Sequence, residues 1–365
     1  MKLPFRKLKV GVQLQELFIP LLSIATSLII GAVIIWASGA DVYKAYQGLL
    51  QGAFGKPRAI AETFVITTPY ILTGLAVAFG FKCGLFNIGV EGQLYAGAIS
   101  AAFVGYAVKG LPHFIHLPFA LIVGVAAGSV WGAIPGYLKA KTGGHEVINT
   151  IMMNHIMIRL TDYLVKNPML DLKSSIPRTP YIQESAYLPK IIPAFRLHYG
   201  FIFAIAIAFL VYFVLYKTTL GFEIRTVGLN QNAARYAGMN VPRNFVLAMA
   251  ISGGLAGMAG SGEVLGLNYY LPAAFISGYG FDAIAIALLA KSNPFGIIPS
   301  AILWAALRNG AGLMQIRAGI SIDMINIIQA FVIMFIAAPR IVRWIYRIKA
   351  ERGKGGIMLT SGWGK

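Results

Sequence analysis

Ten residues, GLFNIGVEGQ at positions 84–93, stand between two apolar stretches that are each long enough to cross a bilayer. A glutamate and an asparagine left in hydrocarbon would each lose several kcal/mol of hydration. Asn87 and Glu91 are therefore expected to face an interior lined by protein or water, where they mark either a working site or an internal structural bond. A chain patterned this way folds as a bundle of membrane helices with a polar seam.

The rest of the sequence agrees. Of 365 residues, 57% are hydrophobic and 12% charged, about half the charged fraction usual in a soluble domain. Uncharged runs at 17–38, 63–81, 117–138 and 199–216 approach or exceed the roughly 18–20 residues that cross about 30 Å of hydrocarbon at 1.5 Å per residue. One such run could be a buried core helix; four make an all-α, polytopic membrane protein. The first run follows a basic start (Lys2, Arg6, Lys7, Lys9) and precedes Ala37-Ser38-Gly39-Ala40, the layout of a cleaved signal. Secretory apolar cores are only about 7–15 residues long, so the longer run reads as an uncleaved span. The single cysteine, Cys83, excludes an intramolecular disulfide and has no metal-ligand companion beside it.

A formal net charge of +18 would suggest nucleic acid in a soluble protein. Here the basic residues border apolar runs, so no nucleic-acid partner is expected and the positive-inside rule applies. It assigns the Lys/Arg clusters at 2–9, 139–141, 217–243 and 340–354 to the cytoplasm. About ten transmembrane or re-entrant segments are predicted, at 17–38, 60–82, 87–108, 117–138, 145–165, 199–217, 244–268, 281–291, 295–316 and 321–345. Both termini are then cytoplasmic: a tail at 1–16, a transmembrane domain at 17–345 and a tail at 346–365. Loops at 39–59, 109–116, 166–198, 269–280 and 317–320 fall outside, and a cytoplasmic loop spans 218–243. The segment at 281–291 is short for a full span, and that at 145–165 carries Glu146, Arg159 and Asp162, so either could be a broken or re-entrant helix covered by protein.

Small-residue stripes at Gly124, Gly128 and Gly132, and at Gly253, Gly257 and Gly260, are spaced for close helix packing. The outer loop at 166–198, with prolines at 168, 177, 180, 189 and 193, is expected to be irregular, serving either as a partner surface or as a solvated linker. Segments 60–108 and 244–291 share an order of features, a small-residue-rich helix followed by a polar interruption, as a weak duplication in a transporter would.

No GxxxxGK[ST] loop, HExxH, CxxC or GxSxG is present, so the chain itself is expected to bind neither ATP nor a metal and to catalyse no covalent reaction. His145 and His155 are ten positions apart, about 80° around a helix, which does not pair them on a metal. More informative is GLNQNAARYAGMNVPRN at 228–244: Asn230 suits an N-cap, 231–237 makes about two helical turns, and Gly238 ends them with Pro242 beyond. So short a helix needs something to dock on. Its alanines (Ala233, Ala234, Ala237), with Arg235 and Tyr236 protruding, suit a partner's groove.

Four segments, TPYILTGLAVAFGFKCGLFNIGVEGQ (68–93), HEVINTIMMNHI (145–156), RTVGLNQNAARYAGMNVPRN (225–244) and GFDAIAIALLA (280–290), resemble the permease subunits of bacterial ABC importers. The resemblance spans about 60–345. It is to the branch moving ribose-like sugars and branched-chain amino acids, and most closely to the nucleoside (guanosine-type) permeases of Gram-positive bacteria. It implies a multi-pass protein of the bacterial plasma membrane that forms a nucleoside path. The implied partners are an ATP-binding subunit that carries the ATP and Mg, a second permease subunit expected to be a different chain, and an extracellular lipid-anchored substrate-binding protein.

The resemblance also makes 228–239 the coupling helix on the ATPase, with Asn230, Asn232, Ala233, Ala234, Arg235 and Gly238 as its residues. Against the general EAAxxxG pattern, Ala233, Ala234 and Gly238 match, while Asn232 replaces the glutamate; Arg235, or Arg225 on the approach, is left to supply a charged contact. Substrate-path candidates are Asn87, Glu91, Gln93, Asn149, Asn154 and Asp282, whose amides and carboxylates can hydrogen-bond ribose hydroxyls or a purine edge, or equally tie helices together. A sugar permease, or an ion-coupled carrier relaying protons through Glu91, Glu263 and Asp282, are the competing readings.

Overall fold

A computed structural model describes residues 10–347 except Ala274, Ile276, Ser277, Ile322, Pro339, Arg340, Arg343 and Trp344, with side chains from Pro20 onward apart from that of Ala337. Most of the two basic tails, including the clusters at 2–9 and 348–354, lies outside the described residues. Among the described residues there is no β-strand, only isolated bridges pairing Arg178 with Pro272 and Lys190 with His198.

The helices run in order α1 (Val10–Ala37), α2 (Val42–Phe54), α3 (Pro57–Lys82), α4 (Val90–Ala107), α5 (His113–Thr142), α6 (Glu146–Lys166), α7 (Gly200–Lys217), α8 (Thr219–Leu229), α9 (Gln231–Tyr236), α10 (Val241–Glu263), α11 (Tyr279–Leu289), α12 (Pro294–Ala318) and α13 (Asp323–Ala337). A π turn, Val264–Asn268, extends α10. Among the described residues, six stretches, in α1, α3, α5, α7, α10 with its π turn, and α12, are long and apolar enough to cross a membrane.

Each predicted segment contains a helix, and two helices fall where loops were expected. The stretch 39–59 holds α2, and 218–243 holds α8 as well as α9. Both were missed because their polar residues (Lys44, Gln47 and Gln51; Glu223 and Arg225) interrupt the apolar run that signals a span. Of the two doubtful segments, α6 is a continuous helix, whereas α11 is a short one entered through non-helical chain.

The chain divides into two compact units, residues 1–52 with 310–365, and residues 53–309. In the first, α1 packs on α13, with Gly31 against Ile328, and the Tyr46 hydroxyl donates to the Leu28 carbonyl. Gly48 and Gly52 of α2 lie against the backbone of Met314 and Gly310.

The second unit is built around α3, α4, α5 and α10. The first predicted glycine stripe faces Gly253 and Gly257 of the second, while Gly260 lies against α4: a Cβ on Gly128 would come 2.3 Å from the Gly253 carbonyl oxygen, and one on Gly253 would come 2.2 Å from that of Gly128. Only hydrogen side chains allow α5 and α10 this approach. At one end of this unit, the basic end, lie Lys139, Lys141, Lys217 and α8–α9. At the other, the loop end, residues 166–199 fold back onto the helices.

That segment is no solvated linker. Thr179, Ile182 and Leu188 donate backbone hydrogen bonds to Leu271, Tyr269 and Leu265 at 2.8–2.9 Å, and Gln183 donates to Gly105 at 2.8 Å. Thr179, Ile182 and Ala186 are buried beneath it.

Candidate functional site

Two helices of the second unit begin inside it, and their starts meet. The chain leaves α3 at the basic end, where Gly84 lies against Gly228, and runs as non-helical backbone to the start of α4. From Glu91, α4 then rises roughly 24 Å to the loop end. The other approach comes from the loop end: after Leu271 the chain passes Phe275, whose ring lies 5.3 Å from that of Tyr95, and reaches the start of α11.

A helix start carries backbone N–H groups without helical partners, and inside a membrane bundle these need acceptors. Glu91 supplies two for α11, its two carboxylate oxygens accepting from Gly278 N at 2.9 Å and Gly280 N at 2.7 Å. The approach is close enough that a Cβ on Gly280 would come 2.3 Å from the Glu91 backbone nitrogen. The anionic carboxylate also opposes the positive end of the α11 dipole. Asn154 of α6 does the same for α4, its Oδ1 accepting from Gly92 N at 2.7 Å while its amide donates to the Ile88 carbonyl at 2.8 Å.

Asn87 and Gln93 bond each other through both amide groups at 3.0 and 3.2 Å, and Asn87 also donates to Ser252 Oγ at 2.8 Å and accepts from Gly89 N at 2.9 Å. Ser252 in turn donates to the Ala76 carbonyl at 2.6 Å. The duplicated order of features thus becomes an exchange, in which α3 packs on α11 and α10 packs on α4.

Four of the six predicted path residues, Asn87, Glu91, Gln93 and Asn154, therefore stand together, buried and bonded within the chain. Asp282 lies one turn into α11, half-buried, where the Tyr70 hydroxyl donates to it at 2.5 Å. Arg308 donates to Tyr70 Oη at 2.7 Å and to Asp282 at 3.3 Å, with its guanidinium 5.0 Å from the Tyr279 ring centre. Asn149 is half-buried near the start of α6, with no hydrogen bond to either group among those described. Sequence reasoning missed Ser252, Tyr70 and Arg308. Arg308 carried a usable signal, a cation inside an apolar helix.

At the loop end a cavity of about 210 Å³ opens among α3, α5, α7 and α10, lined mainly by leucines, Pro69, Met258 and Phe203, with Glu263 and His198 in its wall. His198 lies outside the helices; burial, with Arg196 nearby, pushes its imidazole down to about 4 and so keeps it neutral. Its Nδ1 accepts from Gly200 N at 3.2 Å. No group of three or more His, Cys, Asp or Glu suited to a metal occurs among the described residues.

At the basic end, Asn230 caps α9 by accepting from Asn232 N at 2.9 Å and Ala233 N at 3.0 Å. Gly238 ends it at φ +79°, a left-handed conformation that glycine adopts without strain. Ala234, expected on the docking face, is instead wholly buried (0% exposed) at the seat of α9 on α8 and α10. Asn232, Ala233, Arg235 and Tyr236 face outward, Tyr236 at 98% exposure. Arg225 is held within the chain, donating to the Gly221 carbonyl at 3.2 Å and lying over the Tyr216 ring at 4.8 Å. Arg235 is thus the outward cation.

A sequence profile of the branched-chain amino acid transport system / permease component family matches residues 59–337. The chain is 44% identical over 347 residues to a guanosine ABC transporter permease protein of Bacillus subtilis, covering 93% of this chain and 99% of that one. It is 34% identical to a nucleoside ABC transporter permease protein of Lactococcus lactis, covering 90% and 92%. To a glucose ABC transporter permease protein of Haloferax volcanii it is 33% identical, covering 87% and 86%.

Proposed function

The chain belongs to the permease family of branched-chain amino acid transport systems, and from that premise we propose that it forms the membrane path of an ATP-driven importer of nucleosides, of the guanosine-like purine kind. It is a multi-pass transport subunit of the cell membrane, not an enzyme. ATP and Mg belong to a separate ATPase subunit, and a second permease, of different sequence, completes the path. An extracellular lipid-anchored protein delivers the substrate. In this reading the basic end and both termini face the cytoplasm, and 166–198 faces outward.

The observation that carries it is α9. A capped two-turn helix at the basic end, seated by Ala234 and turning Asn232, Ala233, Arg235 and Tyr236 outward, suits docking in a cleft of the ATPase. A carrier working alone has no use for such a helix. An ion relay is also short of carboxylates, since Glu91 is committed to α11.

Uptake of labelled guanosine, glucose, ribose and leucine by cells with and without this gene tests the reading. Guanosine uptake is expected to depend on the gene and on the ATPase, and to resist an uncoupler. Gene-dependent glucose or ribose uptake without guanosine uptake would put the chain with sugar permeases. Guanosine uptake that collapses with the uncoupler and survives loss of the ATPase would sink the ATP-driven reading.

A further inference from the structure

Helices α6 and α7 both turn much of their surface away from the bundle, but what they expose differs. The outward face of α7 is wholly apolar, with Ile202, Phe209 and Phe213 about half exposed, as suits lipid. On α6 the buried positions are Thr150, Asn154, Met157, Thr161 and Val165. The opposite face mixes His155, Arg159 and Tyr163 with the apolar Ile148, Met152 and Ile156, all exposed. Neither His155 nor Arg159 makes a hydrogen bond or ion pair with the rest of the described chain, whereas the charges at the ends of α6 are paired, Glu146 with Lys139 at 2.9 Å and Asp162 with Lys166 at 2.7 Å.

Helix α6 lies in the predicted segment 145–165 although it is too polar to count among the six apolar stretches, and across a bilayer it would hold these polar groups too deep for lipid alone to cover them. Along the axis His155 stands roughly 14 Å from Glu146 and Arg159 about 10 Å from Lys166. Side chains on a helix lean toward its N-terminus, so Arg159 leans away from its nearer surface and into the middle of the span. A short imidazole at that depth cannot reach either interface. Charged and polar side chains so placed face the inside of a bundle or a water-filled cavity.

We propose that this face of α6 is a wall of the aqueous translocation path, and that His155, Arg159 and Tyr163 are successive rungs on which the flat heteroaromatic ring of a nucleoside stacks. Successive members are four residues apart, neighbours on one ridge of the helix, each turned about 40° from the last. Rungs of this spacing stand about 6 Å apart, close to the roughly 7 Å a flat ring needs between two others at the base-stacking distance. Imidazole, guanidinium and phenol all offer planar faces, and stacking tolerates any base because every base has a π-face. The rungs are open and weak, as a path that must release its cargo requires. This deepens the importer reading and rests on it for the identity of the cargo.

The test uses the full importer in cells, in a Cys83→Ala background. Single cysteines at 155, 159 and 163, with 202 and 209 as controls, are treated with a membrane-impermeant cationic thiol reagent, which attacks only hydrated thiolates. Labelling at 155 and 159 is expected to be at least about tenfold faster than at 202 and 209, and to be slowed by guanosine under turnover. Equal rates at all five positions would overturn the wet wall, as would a disulfide to the partner permease from 155 or 159 without reagent labelling. With the binding protein saturated, Tyr163→Leu and Arg159→Ala are expected to lower maximal guanosine uptake about fivefold or more at equal abundance, the low end of what losing one stacked base contact costs. Tyr163→Phe, which keeps the ring, should recover most of the uptake that Tyr163→Leu loses. Loss with Phe as with Leu, or with neither, would overturn the stacking assignment. If labelling follows the expected pattern while glucose and not guanosine is carried, the nucleoside reading fails and the wall stands.

Discussion

Polar residues occur in quantity at two places in the second unit, and they are disposed in opposite ways. Where α4 and α11 begin, Asn87, Glu91, Gln93 and Asn154 are buried and spend their hydrogen bonds on backbone and on one another. At α9, Asn232, Arg235 and Tyr236 lie in the open, and only the cap Asn230 and the seat Ala234 engage the chain. The contrast separates mortar from a surface left open for docking. Polar groups within the bundle hold interrupted helices in place, and groups on a helix outside it are free to meet another protein.

Breaking the first region should show in folding. Glu91→Leu removes both of these acceptors from the α11 start, leaving a buried N–H at Gly280, which costs about 1–3 kcal/mol, and a part-buried one at Gly278, which costs less. Membrane abundance and thermal stability in detergent should fall together. Glu91→Gln keeps one acceptor oxygen and loses the charge facing the helix dipole, so about half that loss is expected. Parent-like stability for the leucine variant would show that the crossing is not built on this carboxylate.

Gly280→Ala tests the same joint without touching the charge. Its Cβ would stand 2.3 Å from the Glu91 backbone nitrogen, and backbone cannot swing aside as a side chain can. Overpacking of this kind costs about 1–3 kcal/mol, read as a lower melting temperature. If the variant is as stable as the parent, α11 is not held against α4 as closely as the structure has it.

How much of this was readable beforehand divides along the same line. Cap residues, glycine stripes and long apolar runs act locally or through composition, so Asn230, Gly238, the close-packing faces of α5 and α10 and most spans were legible. Which groups meet was not. Glu91 and Gly280 are 189 residues apart, and nothing in either segment names the other. Ala234 misled because a small residue on a short helix serves equally to seat the helix on its own chain or to let a partner approach. Tyr70 and Arg308 were passed over because single polar residues in apolar helices gain meaning only when a second one, here Asp282, arrives beside them.

In the second region the effect should fall on coupling and leave the fold intact. Ala233→Glu and Tyr236→Ala change exposed side chains, for which stability effects stay within about 0.5 kcal/mol, yet ATPase co-purification and guanosine uptake should both drop. Ala234→Glu does not test docking in the same way, because it buries a carboxylate at the seat of α9 and displaces the helix. Parent-like association and uptake for both Ala233→Glu and Tyr236→Ala would remove α9 from the interface.

The smallest expected effect separates conformation from space at the end of α9. Gly238 sits at φ +79° with nothing within 4 Å of where a Cβ would be, so within this chain a side chain there meets no clash and only the backbone angle is at stake. Alanine in the left-handed region costs about 1–2 kcal/mol, and asparagine, whose side chain hydrogen-bonds locally, costs less. If Gly238 serves only to turn the chain, Gly238→Asn should couple hydrolysis to uptake nearly as the parent does, and Gly238→Ala should do so less well. If the partner's cleft also needs the position empty, both substitutions should release the ATPase alike, the larger asparagine at least as much as alanine. The order of the two variants in a co-purification assay, at equal membrane abundance, therefore decides whether Gly238 belongs to the turn alone or to the docking surface as well.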